Sequence, residues 1–314
     1  MSETASPHTA TSIHCRAVRY SEFGAASVLK LVPIAVGAPG AGKVRIAVKA
    51  VGLNPVDNKI RRGDLPQFVL KFPAGIGRDL AGTVEAIGEG VTTIAVGDDV
   101  FGSVSGGALT EYAIAPAAGL SRKPAGISFA QAASLPVAGQ TAFDTVELFA
   151  LGAEDTVLIS AAAGGVGVIA AQLALRTGAR VIGTASEANH EFLRLLGVVP
   201  VSYGAGMVAA IRQYAPQGIT AVLDNHGAET VLAALELGVP VERINTIAAD
   251  ASAFGVSGVG RGAVNPEALE YLAKLVESGE LSVPIEQTFA CDDVVAAYTR
   301  LEQGHLRGKI VVLL

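Results

Sequence analysis

The stretch from Ser160 to Ala174, SAAAGGVGVIAAQLA, holds one hydroxyl and one amide and no acid, base or thiol. What it offers is bare main chain. Gly164, Gly165 and Gly167 stand directly before a helix-forming run, where every glycine costs helix stability. Such a position calls either for backbone that comes very close to another group or for a tight connection in a buried core. Set against the spacing G-x-G-x-x-G, the segment reads Ala162, Gly164, Gly167, with alanine in the first place. In that pattern Gly164 lets the backbone approach a pyrophosphate and Gly167 lets the helix pack tightly on the preceding strand. The first helical turn, with Gly165 and Val166, then presents free N–H groups and the positive end of the helix dipole to the phosphates.

That chemistry requires a buried strand before the turn and a helix after it. The surrounding sequence supplies both. Apolar strand candidates alternate with helical ones: 156–160, helix 166–177, 179–185, helix 189–196, 200–203, helix 207–215, 219–225, helix 229–237 and 243–248. Strands apolar on both faces and joined by helices predict a parallel sheet covered on both sides. Within five such units the glycine turn reads as a dinucleotide site. A second amphipathic helix pattern covers 265–281, with Asn265 as cap and Pro266 in the first turn, and a further one covers 292–304.

The end of the second strand distinguishes the two nicotinamide dinucleotides. An NAD site places a carboxylate there, about 20 residues after the turn, on the ribose hydroxyls. Here Ser186 stands near that place, leaving room for a 2′-phosphate and a hydroxyl to donate to it. Asn189 and His190 are the nearest further donors, and no arginine or lysine follows immediately. NADPH is expected over NADH, with Glu187 arguing the other way.

Ahead of this region, from Cys15 to about Pro136, short β-prone runs such as KVRIAVKAVGL and GTVEAIG alternate sides between glycine-rich turns, predicting a small curved β domain. The 314 residues are 50% hydrophobic and 17% charged, enough apolar material for two cores. A net charge of −6 and a pI near 5.4 argue against nucleic acid as a partner. The one basic cluster, KIRRG at 59–63, reads as solvated surface. Two cysteines, Cys15 and Cys291, build no disulfide framework, so a reducing cytoplasm is the expected compartment. None of the five histidines has metal-ligand spacing. Residues 1–14 carry neither a basic leader nor an apolar stretch and read as a disordered tail. No apolar run reaches membrane-spanning length.

Several of these segments resemble, in order and spacing, the medium-chain dehydrogenase/reductase superfamily, in its zinc-free quinone oxidoreductase (zeta-crystallin-like) branch. GLNPVDNKIRRG (52–63) is similar to the N-P-x-D segment of that branch. GRDLAGTVEAIGEGVTTIAVGDDVFG (77–102) is similar to the superfamily signature, and GGALTEYA, SLPVAGQTAF, AAAGGVG and the terminal RGKIVV follow. The resemblance covers nearly the whole chain after residue 14. It implies an α/β protein with a GroES-like β domain (15–133 and 263–314) carrying the substrate and a Rossmann doubly wound parallel sheet (134–262) carrying the dinucleotide. The implied activity is reduction of quinones or α,β-unsaturated carbonyls by NADPH. Where zinc relatives have Gly-His-Glu this chain has Gly77-Arg78-Asp79, and Asn54 stands at the place of their first cysteine ligand, so no catalytic metal is expected.

Without a metal, hydrogen-bond donors must stabilise the anion that forms on the acceptor. The candidates are Asn54, Asp57 and Lys59. Asn54 is expected to donate to the acceptor carbonyl or to a cofactor ribose. Asp57 is expected to organise the loop, since N-P-x-D is good turn chemistry. Lys59 stands where many relatives have a tyrosine, as a donor or proton source or as a surface lysine. By resemblance Thr141 meets the nicotinamide end, Tyr203 lies beside the adenosine phosphate, and Ile247 and Ala248 offer backbone near the carboxamide. Asn225 closes the fourth sheet strand, where ligands gather in open parallel sheets. His226, Cys291 and His305 read as structural.

Loops 64–73 and 250–262 are expected to line an apolar acceptor pocket. A homodimer is expected from the resemblance and because the last strand of the parallel sheet, near 243–248, would form an apolar edge needing cover. Two other readings stay open on sequence: a pathway-specific enoyl reductase of natural-product biosynthesis, and a protein that binds NADPH without turnover.

Overall fold

The run Lys43–Gly52 buries almost every apolar side chain it carries and is the hub of a seven-stranded sheet. It pairs antiparallel with Asp79–Ile87 and with Tyr112–Pro116, and the C-terminal strand Lys309–Leu313 returns to it, Val311 opposite Gly52. Two register shifts, between Arg45 and Ile46 and between Val48 and Ala50, bulge the pairing with Asp79–Ile87. Bulges of this kind bend and twist a strand, which gives this sheet its curvature. The computed structural model describes residues 12–260 and 262–314.

Two compact units emerge. The first holds the described residues up to Ala133 with Thr288–Glu302 and Val311–Leu314; the second holds Ser134–Gln287 with Gln303–Ile310. Residues 263–287, assigned above to the β domain, therefore belong to the second unit. Their helix, Pro266–Glu277, packs on the helix Pro136–Glu147, where Leu272 approaches Gly139 so closely that a Cβ at Gly139 would lie 2.9 Å from its Cδ1. Periodicity announced the helix but not the neighbour it chose. Most of the expected tail over 1–14 lies outside the described residues; its last residues, Ile13 and His14, open the strand Ile13–Tyr20.

The second unit is built on a five-stranded parallel sheet in the spatial order Val199–Val201, Arg180–Thr184, Thr156–Ile159, Ala221–Asp224, Ile244–Thr246. The winding reverses between Thr156–Ile159 and Ala221–Asp224, and open α/β sheets bind ligands beyond the carboxyl ends of their strands at such a reversal. The outer edge at Ile244–Thr246 is not bare. Thr246 N–H donates to Ser257 O (2.9 Å) and Ser257 N–H to Ile244 O (3.0 Å), so the chain covers this edge with its own Ser257. Among the described residues no helix is long and apolar enough to cross a membrane.

Candidate active site

The glycine turn occupies the carboxyl end of the central strand Thr156–Ile159 and opens the helix Gly165–Arg176. Gly164 has ordinary extended angles (φ −77°, ψ 177°), so its lack of a side chain serves approach and not conformation. A Cβ there would meet only the Ala161 carbonyl oxygen, at 3.2 Å. At Gly167 a Cβ would run into that same oxygen and into the Ala162 backbone, the close helix-to-strand contact that demands glycine. Ala162 is buried, and its Cβ fills the space over Gly183, where a second methyl would lie 2.6 Å away.

The first helical bond runs from Val168 N–H to Gly164 O (2.9 Å), so the N–H groups of Gly165, Val166 and Gly167 precede the ladder and have no acceptor inside the helix. Gly165 also lies under the stem of Lys309, whose Cδ would be 2.9 Å from a Cβ there. A partly exposed turn whose first N–H groups have no acceptor inside the helix fits a diphosphate.

Ser186 precedes a short turn of helix, Glu187–Asn189, and Asn189 Nδ2 donates to its hydroxyl at 3.4 Å. The arginine that the adjoining sequence lacks arrives from far along the chain. Arg307 donates through Nε to Asn189 Oδ1 (2.9 Å) and through Nη2 to Ala188 O (3.1 Å), with its guanidinium over the Phe192 ring at 5.0 Å. Tyr203 joins the same C-terminal segment. Its hydroxyl lies 3.1 Å from His305 Nδ1, and its ring is near-parallel to those of His226 and His305, with centroids 6.1 Å from each. His305 takes a left-handed conformation (φ 52°), strained for a non-glycine residue. In the sequence Arg307 stands only as the first residue of RGKIVV, and His305 reads as structural.

At the ends of the neighbouring strands the organiser is Asp224, which is fully buried. Its carboxylate accepts from Ser160 Oγ (2.7 Å), Thr246 Oγ1 (2.6 Å) and the N–H groups of His226 and Gly227 (2.9 and 3.0 Å). Asn225 is held beside it, its N–H on Ser160 Oγ and its side-chain amide on Ser160 O. The N–H of Ile247 is taken by Asp224 O and that of Ala248 by Thr246 Oγ1, so what these two residues have left to offer a ligand is their carbonyls. Thr141 is buried, and its hydroxyl donates to Val137 O at 2.6 Å. The expected lining loop 250–262 contains Arg261, which lies outside the described residues.

In the first unit, Asn54 begins the helix Pro55–Arg62 and is 2% exposed. Asp57 Oδ2 accepts the Asn54 N–H at 3.1 Å, while Asn54 Nδ2 donates to Asp79 Oδ2 at 2.9 Å and to Gly52 O at 3.4 Å. Asp79 also accepts from Ser103 Oγ (2.7 Å). Lys59 is exposed on the following turn. The helix is pinned by Arg61, buried, which pairs with Glu302 and donates to Gly24 O. Arg78 stands beside Asp57, Nε to Oδ1 3.8 Å, with its guanidinium 5.1 Å from the centre of the Phe68 ring. Loop 64–73 exposes Phe68, Leu70 and Phe72.

Residues 40–125 match the alcohol dehydrogenase GroES-like domain, and residues 196–312 match the zinc-binding dehydrogenase domain. The chain is 30% identical over 332 residues to 2-methylene-furan-3-one reductase of Solanum lycopersicum, covering 99% of this chain and 83% of that one. It belongs to the medium-chain dehydrogenase/reductase family. Within that family it sits in the quinone oxidoreductase branch: the quinone oxidoreductase of Coxiella burnetii superposes with a TM-score of 0.86 at 31% identity, over 96% of this chain and all of that one. Mycobacterial Rv1454c, solved in complex with NADPH, superposes at 0.85 with 29% identity, again over 96% of this chain and all of that one.

The metal named by the second domain model does not fit this medium-chain member. Asn54 is an amide bound to Asp79, Arg78 is a cation, and neither is a zinc donor. Among the described residues no three His, Cys, Asp or Glu side chains come together as a metal site.

Proposed function

We propose that this chain is an NADPH-dependent oxidoreductase that reduces a quinone or an α,β-unsaturated carbonyl compound. The observation that carries it is the Gly164–Gly167 turn, open at the carboxyl end of a parallel strand with three free N–H groups behind it. The names of the relatives, a furanone reductase and a quinone oxidoreductase, supply the acceptor class.

Gly164, Gly165 and Val166 would hold the diphosphate. Ser186, Asn189, Tyr203 and Arg307 would hold the 2′-phosphate end, and Thr141, Asn225, Ile247 and Ala248 the nicotinamide end. When bound, NADPH supplies a hydride. Asp57 keeps the N-P-x-D turn rigid by accepting the Asn54 N–H, and Asn54 in turn holds Asp79. Lys59 Nζ, exposed at the next turn, is the proton source for the reduced acceptor. Exposed Phe68, Leu70 and Phe72 favour an apolar acceptor.

A cytoplasmic location is part of this reading, supported by two free, buried cysteines. So is a homodimer, which rests on the family resemblance, since Ser257 already covers the strand edge; a monomeric mass in sedimentation would remove it. The test of the function is loss of NADPH absorbance on adding each of a panel of quinones, enones and enoyl thioesters. Turnover with at least one is expected. An unchanged absorbance across the panel sinks the reading.

A further inference from the structure

Reduction of an activated double bond puts negative charge on the acceptor oxygen, and donors aimed at that oxygen are what an active site contributes. Around the N-P-x-D loop most of the donor capacity is already committed. The Asn54 amide serves Asp79 and Gly52, and Asp57 is an acceptor. Arg78 differs. Its side chain is 12% exposed, and its buried Nε has no hydrogen-bond partner. The distance of 3.8 Å to Asp57 Oδ1 is an ion pair, too long for a hydrogen bond.

The backbone that carries Arg78 is fixed. Gly77 has φ 85°, Arg78 O accepts from Val104 N–H at 2.8 Å, and Asp79 is fully buried at the start of its strand. The guanidinium lies over the Phe68 ring, 5.1 Å from its centre. A permanent cation whose Nε has no hydrogen-bond partner, with its side chain 12% exposed, is equipped to receive an oxyanion.

We propose that Arg78 is a catalytic residue that hydrogen-bonds the acceptor oxygen as it becomes negative, the task a metal performs elsewhere. The proposal rests on the oxidoreductase reading above. Addition of a hydride at the β-carbon of the acceptor moves the C=C pair through the carbonyl, so that the oxygen becomes an enolate. Arg78 donates to that oxygen and keeps its own proton, because a guanidinium does not titrate in this range. One proton delivered at the α-carbon, from Lys59 in the reading above, completes the saturated product.

The experiment compares the parent with Arg78→Met and Arg78→Lys. It measures kcat on an enone and, separately, binding of 4-nitrophenolate, a stable mimic of the enolate, by its absorbance in the absence of NADPH. Arg78→Met is expected to lower kcat by about 10²–10³-fold and to weaken phenolate binding at least about ten-fold. Arg78→Lys should fall between, and added guanidinium should restore part of the Met variant's turnover. Parent-like phenolate binding in both variants, with or without a loss of turnover, overturns the role. If the parent leaves NADPH unoxidised with every acceptor tried, the oxidoreductase reading fails, and the phenolate titration still decides whether Arg78 binds an oxyanion.

Discussion

Arg307 Nε donates to Asn189 Oδ1 at 2.9 Å across 118 residues of chain, fastening the C-terminal segment onto the loop that opens with Ser186. In the proposed function Arg307 brings the positive charge that a 2′-phosphate needs and that the residues after Ser186 lack. A charge-assisted hydrogen bond to phosphate is worth about 1.5–3 kcal/mol, or roughly a ten- to hundred-fold change in affinity. Arg307→Ala is therefore expected to raise Kd for NADPH by about ten-fold or more while leaving NADH binding almost unchanged. Fluorescence titration of both nucleotides checks this, and an equal loss for the two would assign Arg307 to loop structure alone.

The two glycines of the turn should separate folding from binding. A methyl at Gly164 meets only Ala161 O at 3.2 Å, a contact that small shifts relieve, but it occupies the approach to the helix N-terminus. A methyl at Gly167 strikes backbone that cannot yield. Gly164→Ala is expected to stay near the parent in thermal stability and to lose about ten-fold or more in NADPH affinity. Gly167→Ala is expected to lose about 2 kcal/mol or more of stability, in the range of other overpacked sites. Thermal melts with and without NADPH distinguish the pair; identical behaviour would contradict the geometry.

Asp224 offers a third test. Four donors converge on a carboxylate with no access to water, so Asp224→Ala strands the Ser160 and Thr246 hydroxyls and two N–H groups. Each stranded group costs about 1–3 kcal/mol, and a loss of about 3 kcal/mol or more in urea unfolding is expected. Asp224→Asn keeps the shape and half of the acceptors and should cost less. A stable Asp224→Ala protein would mean that water reaches these groups.

These residues mark where sequence stops being informative. The Gly164–Gly167 turn and the strands around it were legible because period, length and glycine spacing are local properties. The helix Pro266–Glu277 was equally legible as a helix, yet its place in the second unit depends on Leu272 meeting Gly139, a contact with no local signature. Arg78 was visible only as a missing zinc ligand, because its stacking on Phe68 arises from folding. Asp224 carried no sequence signal, since its four donors come from Ser160, residues 226–227 and Thr246. Arg307 was remote in sequence from the loop it serves.

The last prediction concerns acid. Burial pushes the Asp155 carboxyl upward, but a hydrogen bond from Thr220 Oγ1 (2.6 Å), one from the Gly152 N–H (2.9 Å) and the Arg243 guanidinium (2.7 Å) outweigh it, and the group lies below its ordinary value of 3.8. Because the folded state holds the carboxylate more tightly than the unfolded chain does, the unfolded state binds more protons between the two values, and stability falls as pH falls. The contribution is complete above the ordinary value of 3.8 and disappears as pH drops through the depressed folded-state value. Asp155→Asn should therefore be less stable than the parent at neutral pH, by about 1–3 kcal/mol for losing a charged acceptor. The gap should close progressively below pH 3.8. Urea melts of both proteins across that range measure it, and a gap that stays constant into strong acid would show that Asp155 acts through packing and not through its charge.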